Sequence, residues 1–119
     1  MKIAVSAQGK TAESPVDTRF GRAACFMVYD DVSQSWEAVD NRQNLEAAQG
    51  AGIQAAANVV NAGCSVLISG HCGPKAFAAL SRGNVEVYMA EGGNVNDVFA
   101  AWRNGSLKRM ENADVEGHW

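Results

Sequence analysis

The stretch Ser69-Gly70-His71-Cys72-Gly73-Pro74 packs more binding chemistry into a few residues than any other part of the chain. It follows the apolar run Val66-Leu67-Ile68, which reads as a buried strand, and Pro74 suits the first position of a helix. An imidazole and a thiol therefore fall in a strand-to-helix turn, flanked by Gly70 and Gly73, which let backbone approach a guest closely. A helix start offers N–H donors and partial positive charge, and His71 and Cys72 are the candidate ligands for a soft metal. The competing reading is structural: Gly73-Pro74 opens a helix with no guest, and the two side chains are neighbours by accident.

Elements on either side position this turn. Ile3 to Ala7 reads as a first strand, and the polar stretch from Gln8 to Thr18 as a loop. Cys25-Phe26-Met27-Val28-Tyr29 and Trp36-Glu37-Ala38-Val39 form a hairpin across the turn residues Asp30 to Gln34. The period then changes: Ile53, Ala56, Ala57 and Val60 recur at helical spacing over 52–62, with Gly63 as a stop. Ser65 to Ser69 is the fourth strand, a helix runs from Pro74 through Leu80, and Val85 to Met89 is the fifth strand. Asn94 caps a last helix with Val95, Val98, Phe99 and Trp102 along one side.

The order β-β-β-α-β-α-β-α predicts an α/β fold with a five-stranded mixed sheet, strand order 3-2-1-4-5 and flanking helices. Residues 1–103 are expected to be one domain and 104–119 a C-terminal tail in which only Leu107 to Met110 docks. In open sheets of this kind guests gather at the strand carboxyl ends where the chain order reverses, here between the first and fourth strands. The loop after Ala7 and the Gly70–Gly73 turn are then expected at one crevice, with Lys10, Arg19, Arg22 and Lys75 as rim cations. The plainer readings pair the arginines with acids such as Asp17 and leave Lys10 in solvent.

The composition removes several classes of function. The 119 residues, 47% hydrophobic, suffice for one core but not two. A net charge of −3 disfavours a nucleic-acid partner. No apolar run approaches the roughly 20 residues that span a bilayer. The opening Met1 to Val5 enters strand-like sequence at once, so a cytoplasmic protein without a leader is expected. Cys25, Cys64 and Cys72 are an odd set without a C-x-x-C pair, which speaks against a disulfide framework or a closed zinc site. Cys25 and Cys64 read as buried, inert thiols, and Met27, Met89 and Met110 as packing residues.

Three segments together are similar to one family: Met1-Lys2-Ile3-Ala4-Val5, then Arg19-Phe20-Gly21-Arg22-Ala23 leading to Phe26, then Ile68 to Ala76 with its Gly-x-x-Gly-Pro element. The chain resembles the dinitrogenase iron–molybdenum cofactor family, most closely its orange-protein branch, from Met1 to about Arg103. The resemblance implies a ribonuclease-H-like three-layer fold and a binding or carrier role without turnover. Its implied cargo is a molybdenum–copper sulfide cluster, with iron–molybdenum cofactor or an iron–sulfur precursor as the alternative, and its implied partners are proteins of cluster delivery. The residues suited to such a bulky soft anion are Lys10, Arg19, Arg22, Gly70, His71, Cys72 and Gly73, with His71 and Cys72 touching metal.

Three rival functions fit less well. A two-metal nuclease needs convergent carboxylates, and the first strand, Ile3 to Ala7, has none. A Cys72 nucleophile with His71 as base requires neighbours that point at each other, and no orienting acid is evident. A phosphate or nucleotide binder would use the same helix start, but the chain lacks a G-x-x-x-x-G-K-[ST] motif.

Overall fold

The computed structural model describes residues 1–41 and 50–111. Strand β1 (Lys2–Ala7) is buried on both faces from Ile3 onward, as suits an interior position in a sheet, and it lies third of six. The hairpin of β2 (Cys25–Asp30) and β3 (Ser35–Asp40) joins it antiparallel. Exposed and half-buried residues mix along β3, as befits an edge. Helix α1 (Ala51–Asn61) leads to β4 (Val66–Ser69), α2 (Pro74–Arg82) to β5 (Glu86–Met89), and α3 (Val95–Arg103) to β6 (Lys108–Met110). β4 pairs parallel with both β1 and β5.

The sheet is six-stranded, in the order β3-β2-β1-β4-β5-β6, not five-stranded as the sequence suggests. The additional strand falls in the segment 104–119 that reads as a tail. Its Lys108-Arg109-Met110 is too short and too charged to show a strand period, and tertiary pairing creates it. Met110 is buried opposite Val87, and Arg109 pairs with Glu86 at 3.4 Å.

Alternation along the strands divides the core in two. One face carries Ala4, Phe26, Val28, Leu67 and Val87 against α1 and α2. The other carries Ile3, Val5, Met27, Val66 and Ile68 against α3. Asn94 caps α3 by accepting the Asp97 N–H at 2.8 Å, as its residue type predicts. Helix α1 departs from expectation in phase: it buries Ala51, Gly52, Ala55, Ala56 and Val59, while Ile53 is 43% exposed. Small residues let this helix lie close on its neighbours, so they take the inner face that size alone would award to Ile53. No described helix is long and apolar enough to cross a membrane.

Candidate functional site

The segment after β1 crosses the carboxyl end of the sheet and is sewn to the turn after β4. The Asp17 N–H donates to the Ser6 carbonyl at 2.9 Å, which starts the crossing. The His71 N–H then donates to the Thr18 carbonyl at 2.7 Å, and the Phe20 N–H to the His71 carbonyl at 3.2 Å. Arg19 and His71 are thereby parallel bridge partners, and residues 17–20 form a strap over the β1–β4 seam. The strap closes the crevice expected between the first and fourth strands.

Buried hydroxyls anchor the strap from below. Ser6 Oγ donates to the Asp17 carbonyl at 2.6 Å and lies 2.8 Å from Ser69 Oγ, both serines being fully buried at the ends of β1 and β4. The Asp17 carboxylate is buried in turn. Its Oδ1 accepts the Arg19 N–H at 3.0 Å and the Arg19 Nε–H at 3.3 Å, and its Oδ2 accepts from Arg19 Nη2 at 3.3 Å. Serines that interrupt apolar strands at their carboxyl ends are a signal that composition and motif reading passed over.

Gly70 admits the close approach of the strap. A Cβ there would stand 2.7 Å from Thr18 Cα, closer than real Cβ contacts come, so only glycine admits the strap. The next two side chains part company. His71 is exposed, whereas Cys72 is 0% exposed, inside the core beside Phe20, Phe26, Ala76 and Leu80. The expectation of an accessible Cys72 thiol is not met, because the turn directs successive side chains outward and inward. Cys25 and Cys64 are buried as read from sequence, with Cys25 Sγ donating to the Gly9 carbonyl at 2.9 Å.

The other predicted residues scatter. Gly73 is the buried N-cap of α2, where no side chain bonds the cap, and Lys75 is exposed on the same turn. Arg22 is half-buried just beyond the strap. Lys10 is exposed on an excursion whose bonds run elsewhere: Gln8 N–H to the Pro15 carbonyl, and Val95 N–H to the Ser14 carbonyl at the start of α3.

Beside the strap a cavity of about 290 Å³ opens at the carboxyl ends of β4 and β5, lined by Thr18, Gly70, His71, Met89, Ala90 and Glu91. It thus lies one strand further along the sheet than the seam that the topology rule selects. Its volume far exceeds the roughly 10–15 Å³ that one water needs, so it suits a molecular guest. The lining combines the His71 imidazole, the Thr18 hydroxyl and the half-buried Met89 thioether with Gly70 and Ala90, and carries one carboxylate, Glu91. Among the described residues no three His, Cys, Asp or Glu side chains gather as a site for a bare metal ion.

Comparison with known proteins gives this site its context. Residues 1–105 match the profile described as Dinitrogenase iron-molybdenum cofactor. The chain belongs to that family. Among solved structures, the apo form of the orange protein from Desulfovibrio gigas is 35% identical, with 96% of each chain covered and a TM-score of 0.92. A candidate NifB protein from Thermotoga is 34% identical over 98% of each chain, with a TM-score of 0.85. A candidate dinitrogenase from Methanocaldococcus jannaschii, 20% identical over 94% of this chain and 96% of its own, shares the fold at a TM-score of 0.68. No curated protein matches the chain. Family membership agrees with the resemblance carried by the Phe20-Gly21-Arg22-Ala23 and Gly70 to Pro74 segments.

Proposed function

We propose that this protein is a non-enzymatic carrier whose cargo is a metal–sulfur cluster of the molybdenum–copper sulfide type, seated in the cavity beside His71. One observation supports this above the rest: the exposed imidazole and the arginine-bearing strap are joined by backbone hydrogen bonds at the rim of a soft, guest-sized cavity. A sulfide-coated anion needs donors, some positive charge and an apolar wall rather than a cage of hard ligands. His71 and the outer edge of Arg19 supply the first contacts, Met89 and Ala90 the wall. Arg22 and Lys75 add positive charge at this end of the sheet.

In this reading Cys72 packs behind the turn and does not meet the cargo, so the metal contact of the expected His71–Cys72 pair falls to His71. Lys10 stays on its solvated excursion. The partners are proteins that deliver and collect the cluster, and the setting is the cytoplasm. The family's description favours a second reading for the same seat, iron–molybdenum cofactor or an iron–sulfur precursor. A phosphate or nucleotide is disfavoured because the chain lacks a G-x-x-x-x-G-K-[ST] motif.

Reconstitution with tetrathiomolybdate and a copper salt tests the proposal. The expected result is a coloured species that co-elutes with protein on gel filtration. Loss of at least about tenfold in affinity on His71→Ala, near 1.4 kcal/mol, would locate it. Colour recovered wholly in the small-molecule fractions would overturn the carrier reading. Elemental analysis of protein from its native host separates a molybdenum–copper cargo from an iron-containing one.

A further inference from the structure

Resting on the carrier reading above, we infer that Asp17 is a positioning residue that sets which anions the site accepts. It holds Arg19 half-neutralised on the strap, so that soft, weakly hydrated anions enter and compact oxyanions such as inorganic phosphate are refused.

The geometry behind this is a fork held at two points. Arg19 Nε and Nη2 face the two oxygens of one carboxylate at 3.3 Å each. The Asp17 side chain is 4% exposed and that of Arg19 55%, so the acid is buried and the base straddles the surface. A carboxylate withdrawn from water loses heavily if its partner leaves, which keeps Arg19 from swinging out as a full cation. Nor is Asp17 free to turn away. Its N–H and carbonyl are both bonded to Ser6, whose hydroxyl also meets Ser69 across the β1–β4 seam. Two strands and the strap therefore fix one carboxylate against one guanidinium.

The consequence is selectivity by exclusion. A small, densely charged oxyanion gives up strong hydration on entering a site, and one shared cation returns too little for it. Glu91 repels any anion, and Met89 and Ala90 offer phosphate no side-chain donors in return. A large sulfide-coated anion gives up less water and gains contact with the polarisable thioether. Specificity then comes from what the site withholds from phosphate, and Asp17 is the residue that withholds it.

Asp17→Asn tests the idea, because an amide oxygen can still accept the Arg19 N–H while the charge on the fork is gone. Inorganic phosphate and tetrathiomolybdate serve as separate probes, with the His71 ring signals and the Arg19 Nε–H followed by NMR. The expected result is phosphate affinity at least about tenfold higher in Asp17→Asn than in the unaltered protein, with tetrathiomolybdate affinity changed by less than about threefold. Equal phosphate affinity in the two proteins would overturn the inference. In the unaltered protein the Arg19 Nε–H is expected to exchange with solvent at least about tenfold more slowly than in the unfolded chain; exchange at the unfolded rate would overturn the inference even if the variant fails to fold. Failure of the unaltered protein to bind either probe would instead remove the carrier reading, while a gain of phosphate binding in Asp17→Asn would still support the role of Asp17.

Discussion

Gly70 and Thr18 approach so closely that a methyl group added to the first would come within 2.7 Å of the Cα of the second. The His71 N–H bond to the Thr18 carbonyl, at 2.7 Å, depends on that approach. Gly70→Ala therefore forces the strap off the turn rather than merely crowding a side chain. A loss of about 1–3 kcal/mol in unfolding free energy is expected, the range for overpacking a closed site, measured by denaturant titration. Cargo retention should fall with it. An alanine variant as stable as the parent would mean that the strap moves without cost.

Opposite fates are expected for the two adjacent residues of the turn. Cys72 lies in the core with Phe20 and Leu80, so Cys72→Ala should cost about 1–2 kcal/mol of stability through the space it leaves. Its thiol should resist labelling until the protein unfolds. His71 is exposed, so His71→Ala should leave the denaturation midpoint nearly unchanged while releasing the cargo. Rapid labelling of Cys72 in the native protein would show the thiol to be accessible and restore it as a direct metal contact.

Cys64 gives a pH dependence with a definite sign. Burial pushes its thiol up from 9.0 to about 11, with the nearby Lys2 opposing the shift. Well below pH 9 the thiol is protonated in both folded and unfolded chains and contributes no slope. Between pH 9 and about 11 the unfolded chain ionises first, so stability declines with rising pH, by about 3 kcal/mol at most. Denaturant titrations across this window should show a steeper decline for the parent protein than for Cys64→Ala. Parallel curves would mean that Cys64 ionises as readily folded as unfolded.

Where a segment has a long period its structure was legible. β1, β2 and β4 announce themselves by apolar runs, and α3 by Asn94 followed by Val95, Val98 and Phe99 at helical spacing. The hairpin and the β1–β4–β5 order followed from the crossover rules alone. Strand β6 was hidden because Lys108-Arg109-Met110 is strand only through its pairing with β5. The spacing of Ile53, Ala56, Ala57 and Val60 gives α1 the right type but the wrong phase, because its inner contacts are made by alanine and glycine. At the site, the meeting of Arg19 with His71 was foreseeable from topology, but the closing of the seam was not. That closure depends on the Ser6–Ser69 bridge and on the Gly70–Thr18 approach, which join positions far apart in sequence. Met89, read as packing alone, also lines the cavity for the same reason: β5 stops level with β4, and the end of a strand is not written in its period.

The parallel pairing of β4 between β1 and β5 has a bearing on when such a protein could first take up its load. One wall comes from residues near the amino terminus, another from the middle, and the last from Met89 to Glu91. A chain still emerging from the ribosome owns no partial version of this seat, since no two consecutive elements enclose it. On the proposed carrier reading, capture follows the arrival of β5 in the sheet, and a shortened product ending before β5 lacks Met89 to Glu91 and with them one wall of the seat.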